Sequence, residues 1–174
     1  ISDYYGFSIS EKIGFSHPIT NVQRRDFFIL GAGGVTSSII ASLQSLVGRS
    51  GKIWVSNRTK KKALQLKKSF PNVELIDWGE LPPYHCDIIV NTTSVGLKKN
   101  DNLNIDFTNI DKNTLFYDLI YNPKETNFLK EAKKLKNKIS NGKMMFVFQA
   151  QQSFFTWHNI LPNIDEELLK FLYD

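Results

Sequence analysis

An apolar run that ends in a glycine turn is the feature that most constrains this sequence. Residues 27–30, Phe-Phe-Ile-Leu, lead directly into Gly31-Ala32-Gly33-Gly34, and apolar residues then recur at helical spacing. Strand, glycine turn and helix in this order typically begin a β-α-β unit, in which the backbone approaches a pyrophosphate at the helix N-terminus. The alternative is a tight structural turn without a ligand. Thr36 stands where a third small residue is usual, and we expect it to widen the helix–strand approach slightly without blocking the site.

Further apolar runs alternate with helical patterns, which is typical of a parallel sheet with helices on both faces. We predict strands at 27–30, 53–55, 73–76, 87–90 and 115–120, with a very short sixth strand at Ile139. Helices are predicted at 35–47, 59–70, 128–135, 144–157 and 168–172, the second with Thr59 as its N-cap, and residues 3–13 also have a helical pattern. The sequence therefore predicts one α/β domain, a Rossmann-type three-layer domain with a mostly parallel sheet of about six strands.

Composition narrows the class of protein. The 174 residues are 41% hydrophobic and 22% charged, which is typical of a globular domain with a core. The net charge of +5 is compatible with nucleic acid binding, but the lysines are scattered without interleaved aromatic residues. We therefore expect no nucleic acid partner. No apolar run approaches the roughly 20 residues of a membrane span, and the single cysteine, Cys86, predicts an inert core thiol in a protein of the reducing cytoplasm. The three histidines have no metal-ligand spacing, so we expect no metal.

A basic segment follows the second predicted strand. An NAD enzyme places a carboxylate there for the ribose 2′-hydroxyl, but this chain has Asn57 followed by Arg58. A guanidinium can bind a 2′-phosphate through two oxygens, and Lys60 and Lys62 can add positive charge. The alternative is a solvated basic helix start, although lysines at an N-terminus oppose the helix dipole. The segment favours NADP over NAD.

Two polar patterns lie in the second half of the chain. Residues 91–97, Asn-Thr-Thr-Ser-Val-Gly-Leu, follow the fourth predicted strand, where ligands of open parallel sheets bind; the alternative is a polar turn. Gln149, Gln152 and Thr156 form a polar stripe on an otherwise apolar helix. Such a stripe either contacts a ligand or faces solvent.

Six motifs in order resemble one family. They are residues 31–34, Asn-Arg-Thr at 57–59, residues 91–96, Tyr-Asp-Leu-Ile-Tyr-Asn-Pro at 117–123, Asn-Gly at 141–142, and Gln149-Ala150 with Phe-Phe-Thr-Trp at 154–157. The series resembles the C-terminal, NADP-binding domain of shikimate dehydrogenases, and residues 2–7 resemble that family's Asn-Thr-Asp-x-x-Gly segment. Here Ile1 and Ser2 depart from the family's asparagine and threonine. The resemblance implies reversible reduction of 3-dehydroshikimate to shikimate with NADPH, in the pathway to chorismate and the aromatic amino acids.

The resemblance also implies roles for individual residues. Asp3 matches the catalytic aspartate, Tyr121 and Gln149 match substrate-binding residues, and Gly142 and Met145 match positions beside the nicotinamide. From the residues alone, Asp3 would be an N-cap, Tyr121 a core aromatic and Met145 a core side chain. We expect the substrate to contact Asp3, Tyr121, Gln149 and Gln152. We expect the cofactor to contact Gly31, Ala32, Gly33, Gly34, Val35, Asn57, Arg58, Thr59, Lys62, Thr92, Thr93, Ser94, Leu119, Gly142 and Met145.

The family's enzymes have a second, N-terminal domain that carries the catalytic lysine and further substrate-binding groups. We expect residues 1–174 to be the NADP-binding domain of such an enzyme, with residues 1–20 as an inter-domain helix and residues 141–174 as helices that pack towards the missing domain. The full-length enzyme is then expected to be a homodimer. Two alternatives stay open, namely a quinate/shikimate dehydrogenase or a paralogue with another substrate, and a non-catalytic NADP-binding module.

Overall fold

The computed structural model describes residues 25–44, 47, 50–82 and 85–173. Asp3, the helix predicted over 3–13 and the inter-domain helix predicted over 1–20 lie outside the described residues. The described elements are β1 (Phe27–Leu30), α1 (Gly34–Gln44), β2 (Ile53–Ser56), α2 (Lys60–Ser69), β3 (Glu74–Ile76), β4 (Ile88–Asn91), β5 (Leu115–Asp118), α3 (Asn127–Lys134), β6 (Lys138–Ser140), α4 (Lys143–His158) and α5 (Glu166–Tyr173).

The six strands form one sheet in the order β3-β2-β1-β4-β5-β6, and all five pairings are parallel. The predicted Rossmann-type sheet is thus confirmed. The chain reverses its direction of progress between β1 and β4, which are neighbours although β2 and β3 separate them in sequence. Sheets of this order bind their ligands at that switch point, outside the carboxyl ends of the strands. These ends are Leu30 on β1 and Asn91 on β4, which are paired.

Each face of the sheet has its own core. Successive strand residues point to opposite faces, so Phe27 and Ile29 pack on one side of β1, and Phe28 and Leu30 on the other. The first core contains α1, with Ile39, Ile40 and Leu43, and also Leu66 of α2 and Met145 of α4. The second contains α3, with Phe128, Leu129 and Ala132. Burial on both faces explains why β1 is apolar throughout and why β2 and β4 are apolar up to their last residues, Ser56 and Asn91.

The predicted bounds of several elements need correction. The fifth strand ends at Asp118 and not at Ile120, because the Ile120 amide donates to Asp118 Oδ1 (3.0 Å) and the chain turns out of the sheet. The first helix begins at Gly34 and ends at Gln44, before Val47. The last helix begins at Glu166, where Asp165 Oδ1 accepts a bond from the Leu168 amide (2.8 Å). Asp165 therefore supplies an N-cap that the prediction missed.

The connection between β4 and β5 contains no helix in the described structure. Residues 92–114 instead cross the second face as an irregular segment. Leu103, Ile105 and Phe107 of this segment are buried against that face, while Asn104 and Asp106 between them are exposed. Phe107 packs edge-on against Phe116, with ring centroids 5.3 Å apart. Over the described ranges, every helix is too short or too polar to cross a membrane.

Candidate functional site

Gly31 makes the first turn out of the sheet, and the fold itself requires glycine there. Its φ is +115°, a conformation that side-chain-bearing residues rarely adopt. A Cβ at Gly31 would lie 2.6 Å from Thr92 Oγ1, which is inside van der Waals contact. The Gly31 amide donates to Ser56 O (2.8 Å), so the turn is also fixed to the end of β2.

Gly33 and Gly34 differ from Gly31 because there is space for a Cβ on each of them. Apart from the adjoining residues and the backbone of α1, no atom of the described residues lies within 4 Å of a Cβ placed on either glycine. Both are exposed, and Val35 beside them is half-buried. The amides of Gly34 and Val35 open α1 and precede its internal hydrogen-bond ladder, so they are free to bind an anion at the positive end of the helix dipole. This geometry is a cradle that a phosphate group fits.

Thr36 is buried and joins the glycine turn to the loop after β4. Its hydroxyl accepts a bond from the Gly33 amide (3.0 Å) and lies 2.9 Å from Thr92 Oγ1. Thr92 donates its own hydroxyl hydrogen to Leu30 O (2.9 Å), so the hydrogen shared between the two threonines comes from Thr36. Thr36 therefore does more than widen the helix–strand approach. It fixes Gly33 relative to β1 and β4.

The basic segment after β2 contacts the glycine turn through Asn57. Asn57 Oδ1 accepts from the Ala32 amide (3.1 Å), and its Nδ2 donates to Thr59 O (2.9 Å). Thr59 occupies the N-cap position of α2, as predicted, although its side chain accepts no hydrogen bond from an amide of that helix. Exposed Arg58 lies between these two residues.

The positive charge beside the turn is only partly neutralised. Lys60 pairs with Asp77 at 3.3 Å, and both side chains are largely exposed. Among the described residues, Arg58 has no carboxylate partner, and Lys62 is also exposed without one. Arg58 and Lys62 are thus available to an external anion at the start of α2, where the helix dipole also attracts negative charge.

The loop after β4 is held by Asn91, which is fully buried. Asn91 Oδ1 accepts from the Thr93 amide (3.0 Å) and from the Thr93 hydroxyl (2.7 Å), and its Nδ2 donates to Val95 O (3.1 Å). The Val95 amide in turn donates to Thr93 Oγ1 (3.0 Å). Both donors of Thr93 are therefore used within the loop, and this residue can offer a ligand only an acceptor. Ser94 at the tip is exposed.

Asp118 lies opposite Asn91 at the end of β5 and is fully buried. It accepts from Asn91 Nδ2 (3.1 Å), the Ile120 amide (3.0 Å) and the Thr126 hydroxyl (2.6 Å). Burial raises the pKa of the Asp118 carboxyl to about 6, and these three hydrogen bonds oppose that rise. Sequence reasoning assigned Asp118 to a strand and gave it no role. The signal it offered was a polar residue at the end of an apolar strand, as at Asn91.

The end of β5 meets the start of α4. The Leu119 amide donates to Asn91 O (3.1 Å), and the Gly142 amide donates to Ile120 O (3.3 Å). A Cβ on Gly142 would collide with the Leu119 backbone, so glycine is needed there for close approach. Tyr121 is 45% exposed and stacks on Phe146, with ring centroids 4.8 Å apart. The alternative of Tyr121 as a core aromatic is therefore wrong, and Phe146 is a contact that sequence reasoning missed.

Met145 and the polar stripe of α4 differ in burial. Met145 is buried in the first core. Gln149 and Gln152 are half-buried on the next turns of α4; Gln149 has a partner within the chain. Thr156 is exposed and donates to Gln152 O (2.8 Å). Around them Phe146, Phe154, Phe155 and Trp157 are 40–76% exposed, so α4 presents an apolar surface.

The predicted site residues thus form one continuous edge and one outlying group. Hydrogen bonds and close contacts join the glycine turn, Asn57, the loop after β4, Leu119 and Gly142 along the carboxyl ends of the strands. Arg58 and Lys62 flank this edge, whereas Gln149 and Gln152 lie further along α4. Asp3 is outside the described residues. Among the described residues no group of three or more His, Cys, Asp or Glu side chains is placed to hold a metal, and Cys86 is buried, with a pKa that burial raises to about 12.

The chain is similar to curated proteins and to solved structures of known function. No family model matches the chain. The chain is 48% identical over 171 residues to the shikimate dehydrogenase (NADP(+)) of Pelagibacter ubique, which covers 98% of this chain and 62% of that protein. The crystal structure of shikimate dehydrogenase from Aquifex aeolicus matches with a TM-score of 0.76 and 32% identity, over 93% of this chain and 57% of that one.

A second solved structure carries ligands. Shikimate 5-dehydrogenase from Thermus thermophilus, in complex with NADP(H) and shikimate, matches with a TM-score of 0.76 and 27% identity. The match covers 93% of this chain and 58% of that one. The chain thus spans about three fifths of the length of the relatives that it matches.

Proposed function

We propose that this chain, which is homologous to the shikimate dehydrogenases, is the NADP-binding part of an enzyme that interconverts 3-dehydroshikimate and shikimate. NADPH supplies the hydride when bound. The observation that carries the proposal is the pairing of an open glycine cradle with Arg58 one strand away, a guanidinium that has no carboxylate partner among the described residues, at the switch point of the sheet.

The cofactor side of the proposal follows from donors and charge. The amides of Gly34 and Val35 bind the pyrophosphate at the start of α1. Arg58, with Lys62 one turn further, binds the 2′-phosphate that distinguishes NADP from NAD. Lys60 contributes less because Asp77 already neutralises it. Asn57 cannot repel a phosphate as a carboxylate would, and its amide instead holds the cradle to the basic segment.

The substrate side rests on the resemblance together with exposure. Tyr121 is exposed and follows the end of β5. Because β5 pairs with β4, that end lies beside the start of the loop that follows β4. We assign Tyr121, Gln149 and Gln152 to substrate contacts, and Asp3 to proton transfer at the reacting oxygen. Gly142 and Met145 border the nicotinamide, Gly142 by permitting close approach and Met145 by supplying the apolar floor.

The remainder of the enzyme is the part of the relatives that this chain does not span. We propose that it supplies the lysine that works with Asp3 and that it covers the apolar surface of α4, where Trp157 is 76% exposed. We further propose a cytoplasmic enzyme, a homodimer when complete, whose positive charge serves anionic ligands and not nucleic acid.

The test has a binding arm and an activity arm. In the first, NADP⁺ and NAD⁺ are titrated into the 174-residue chain by calorimetry, and we expect measurable binding of NADP⁺ with a clear preference over NAD⁺. In the second, the segment of the Pelagibacter ubique relative that this chain lacks is added, fused or in trans, and shikimate oxidation is followed by NADPH absorbance. We expect negligible turnover by the chain alone, because general acid–base catalysis is worth roughly 10²–10⁴-fold and substrate positioning more.

The controls separate the possible failures. Asp3→Asn in the complemented enzyme should abolish turnover and leave NADP⁺ binding unchanged. Quinate as the substrate tests the related specificity, and faster turnover of quinate would replace the shikimate assignment. NADP⁺ binding without any turnover in the complemented enzyme would instead favour a non-catalytic NADP-binding module.

A further inference from the structure

A buried polar network joins the two loops that border the crevice. Asp118 accepts hydrogen bonds from Asn91 at the end of β4, from Ile120 at the exit of β5 and from Thr126 at the start of α3. Asn91 extends the network to Thr93 and Val95. Each of these three attachments belongs to a different segment of chain, and Asp118 is their common acceptor.

We propose that Asp118 is a positioning residue, which holds the Asn91–Val95 loop and the Ile120–Tyr121 segment in one fixed relation by accepting a hydrogen bond from each. This role rests on the proposed function, because these two segments carry the cofactor loop and the substrate-side tyrosine. Asp118 itself is fully buried and has no exposed surface to offer a ligand. Its effect reaches the crevice through Asn91 on one side and the Ile120 amide on the other.

Several observations distinguish this carboxyl from an ordinary ion-pair partner. Among the described residues, every group that acts on Asp118 is uncharged: the Asn91 amide on β4, the Ile120 backbone and the Thr126 hydroxyl. Burial without a positive partner is the reason that its pKa is raised to about 6. The carboxyl therefore changes charge within the range in which most proteins stay folded.

Protonation of Asp118 reverses one hydrogen bond of the network and weakens the other two. The ionised carboxylate accepts from all three donors. A proton on Oδ2 must be donated in turn, and Thr126 Oγ1, 2.6 Å away, is the neighbouring atom able to accept it by rotating its hydroxyl. Oδ1 continues to accept from Asn91 and Ile120, but as a weaker, neutral acceptor. Both loops are then held less firmly at the same time.

The experiment follows backbone amides by ¹H–¹⁵N NMR between pH 5 and 8, without any ligand. We expect the amides of Thr93, Ile120 and Tyr121 to titrate together with one midpoint near pH 6. In Asp118→Asn, which keeps the shape and cannot ionise, these shared changes should vanish. Asp106→Asn is the control, because Asp106 also holds a loop amide, that of Thr108 (2.9 Å), but is exposed away from the crevice. It should titrate like the unmodified chain.

A second pair of variants covers the case in which Asp118→Asn does not fold. Thr126→Val removes the hydroxyl that stabilises the carboxylate and should move the common midpoint to higher pH, whereas Thr126→Ser should restore it. Movement of the Ile120 amide alone, with Thr93 unchanged, would overturn the proposal, as would a midpoint insensitive to Thr126. Because no cofactor is present, these outcomes do not depend on whether the chain binds NADP⁺. In a parallel calorimetric titration, the change in NADP⁺ affinity across pH 6 should be larger in the unmodified chain than in Asp118→Asn, where only the 2′-phosphate of the cofactor still titrates in this range.

Discussion

Substitutions can separate the role of Gly31, which we expect to serve the fold, from that of Gly33, which we expect to serve the ligand. Gly31→Ala places a Cβ 2.6 Å from Thr92 Oγ1 in a residue whose φ is +115°. A side chain in such a conformation costs about 1–3 kcal/mol. Thr92 cannot move away without loosening its bonds to Leu30 O and Thr36, at about 1 kcal/mol each. The free energy of unfolding should therefore fall by about 3–5 kcal/mol.

Gly33→Val tests the other role. Space around a Cβ at Gly33 is open among the described residues, so the free energy of unfolding should change by less than about 1 kcal/mol. The side chain instead occupies the cradle. Excluding a phosphate from the Gly34 and Val35 amides removes two charge-assisted hydrogen bonds, worth about 3–6 kcal/mol together. NADP⁺ affinity should fall by more than about 100-fold.

The assays are urea unfolding followed by circular dichroism, and calorimetric titration with NADP⁺. Gly33→Ala, which carries the same side chain as Gly31→Ala, is the matched control for stability and should unfold like the unmodified chain. For a domain of this size the loss in Gly31→Ala corresponds to a fall in Tm of about 6–20 °C. Normal NADP⁺ binding by Gly33→Val would show that the cofactor does not lie in the cradle, and unchanged stability of Gly31→Ala would refute the steric reasoning.

Two further predictions concern charge. Arg58→Ala should weaken NADP⁺ binding by about 1.5–3 kcal/mol and leave NAD⁺ binding unchanged in calorimetric titrations, with exposed Lys68→Ala at the far end of α2 as the control; equal losses for both cofactors would contradict the 2′-phosphate assignment. Because the pKa of Asp118 is raised from 3.8 to about 6, its contribution to stability is complete below about pH 4 and is lost as pH rises through 6. The stability of the unmodified chain relative to Asp118→Asn, measured by urea unfolding, should thus fall by about 3 kcal/mol from pH 4 to pH 7, and a constant difference would disprove it.

The sheet was predictable because its strands are buried on both faces. Residues 27–30 and 88–90 are apolar without alternation, and the glycine turn marks where β1 ends. The segment that covers the second face was not predicted, although Leu103, Ile105 and Phe107 alternate with polar residues. Such alternation normally predicts a strand, yet this segment covers the face by side-chain packing and pairs with no described strand.

The polar half of the site was harder to predict than its glycines. A glycine turn is a local pattern, and its position after a strand suffices to interpret it. The bonds between Asn91 and Asp118 and between Thr36 and Thr92 join residues 27 and 56 positions apart. They depend on strand register, which pairs Asn91 with Asp118, and register follows from the assembled sheet rather than from either strand alone.

The irregular connection over the second face has a consequence for how the domain opens. Residues 101–107 shield Phe116 and Phe128 with three apolar side chains, and no strand pairing has to break for the segment to lift. Amide hydrogens of this segment should consequently exchange with solvent through small local openings, while those of β1 and β4 exchange only when the sheet itself unfolds. Each local opening uncovers an aromatic cluster, so we expect self-association through this face when the segment lifts.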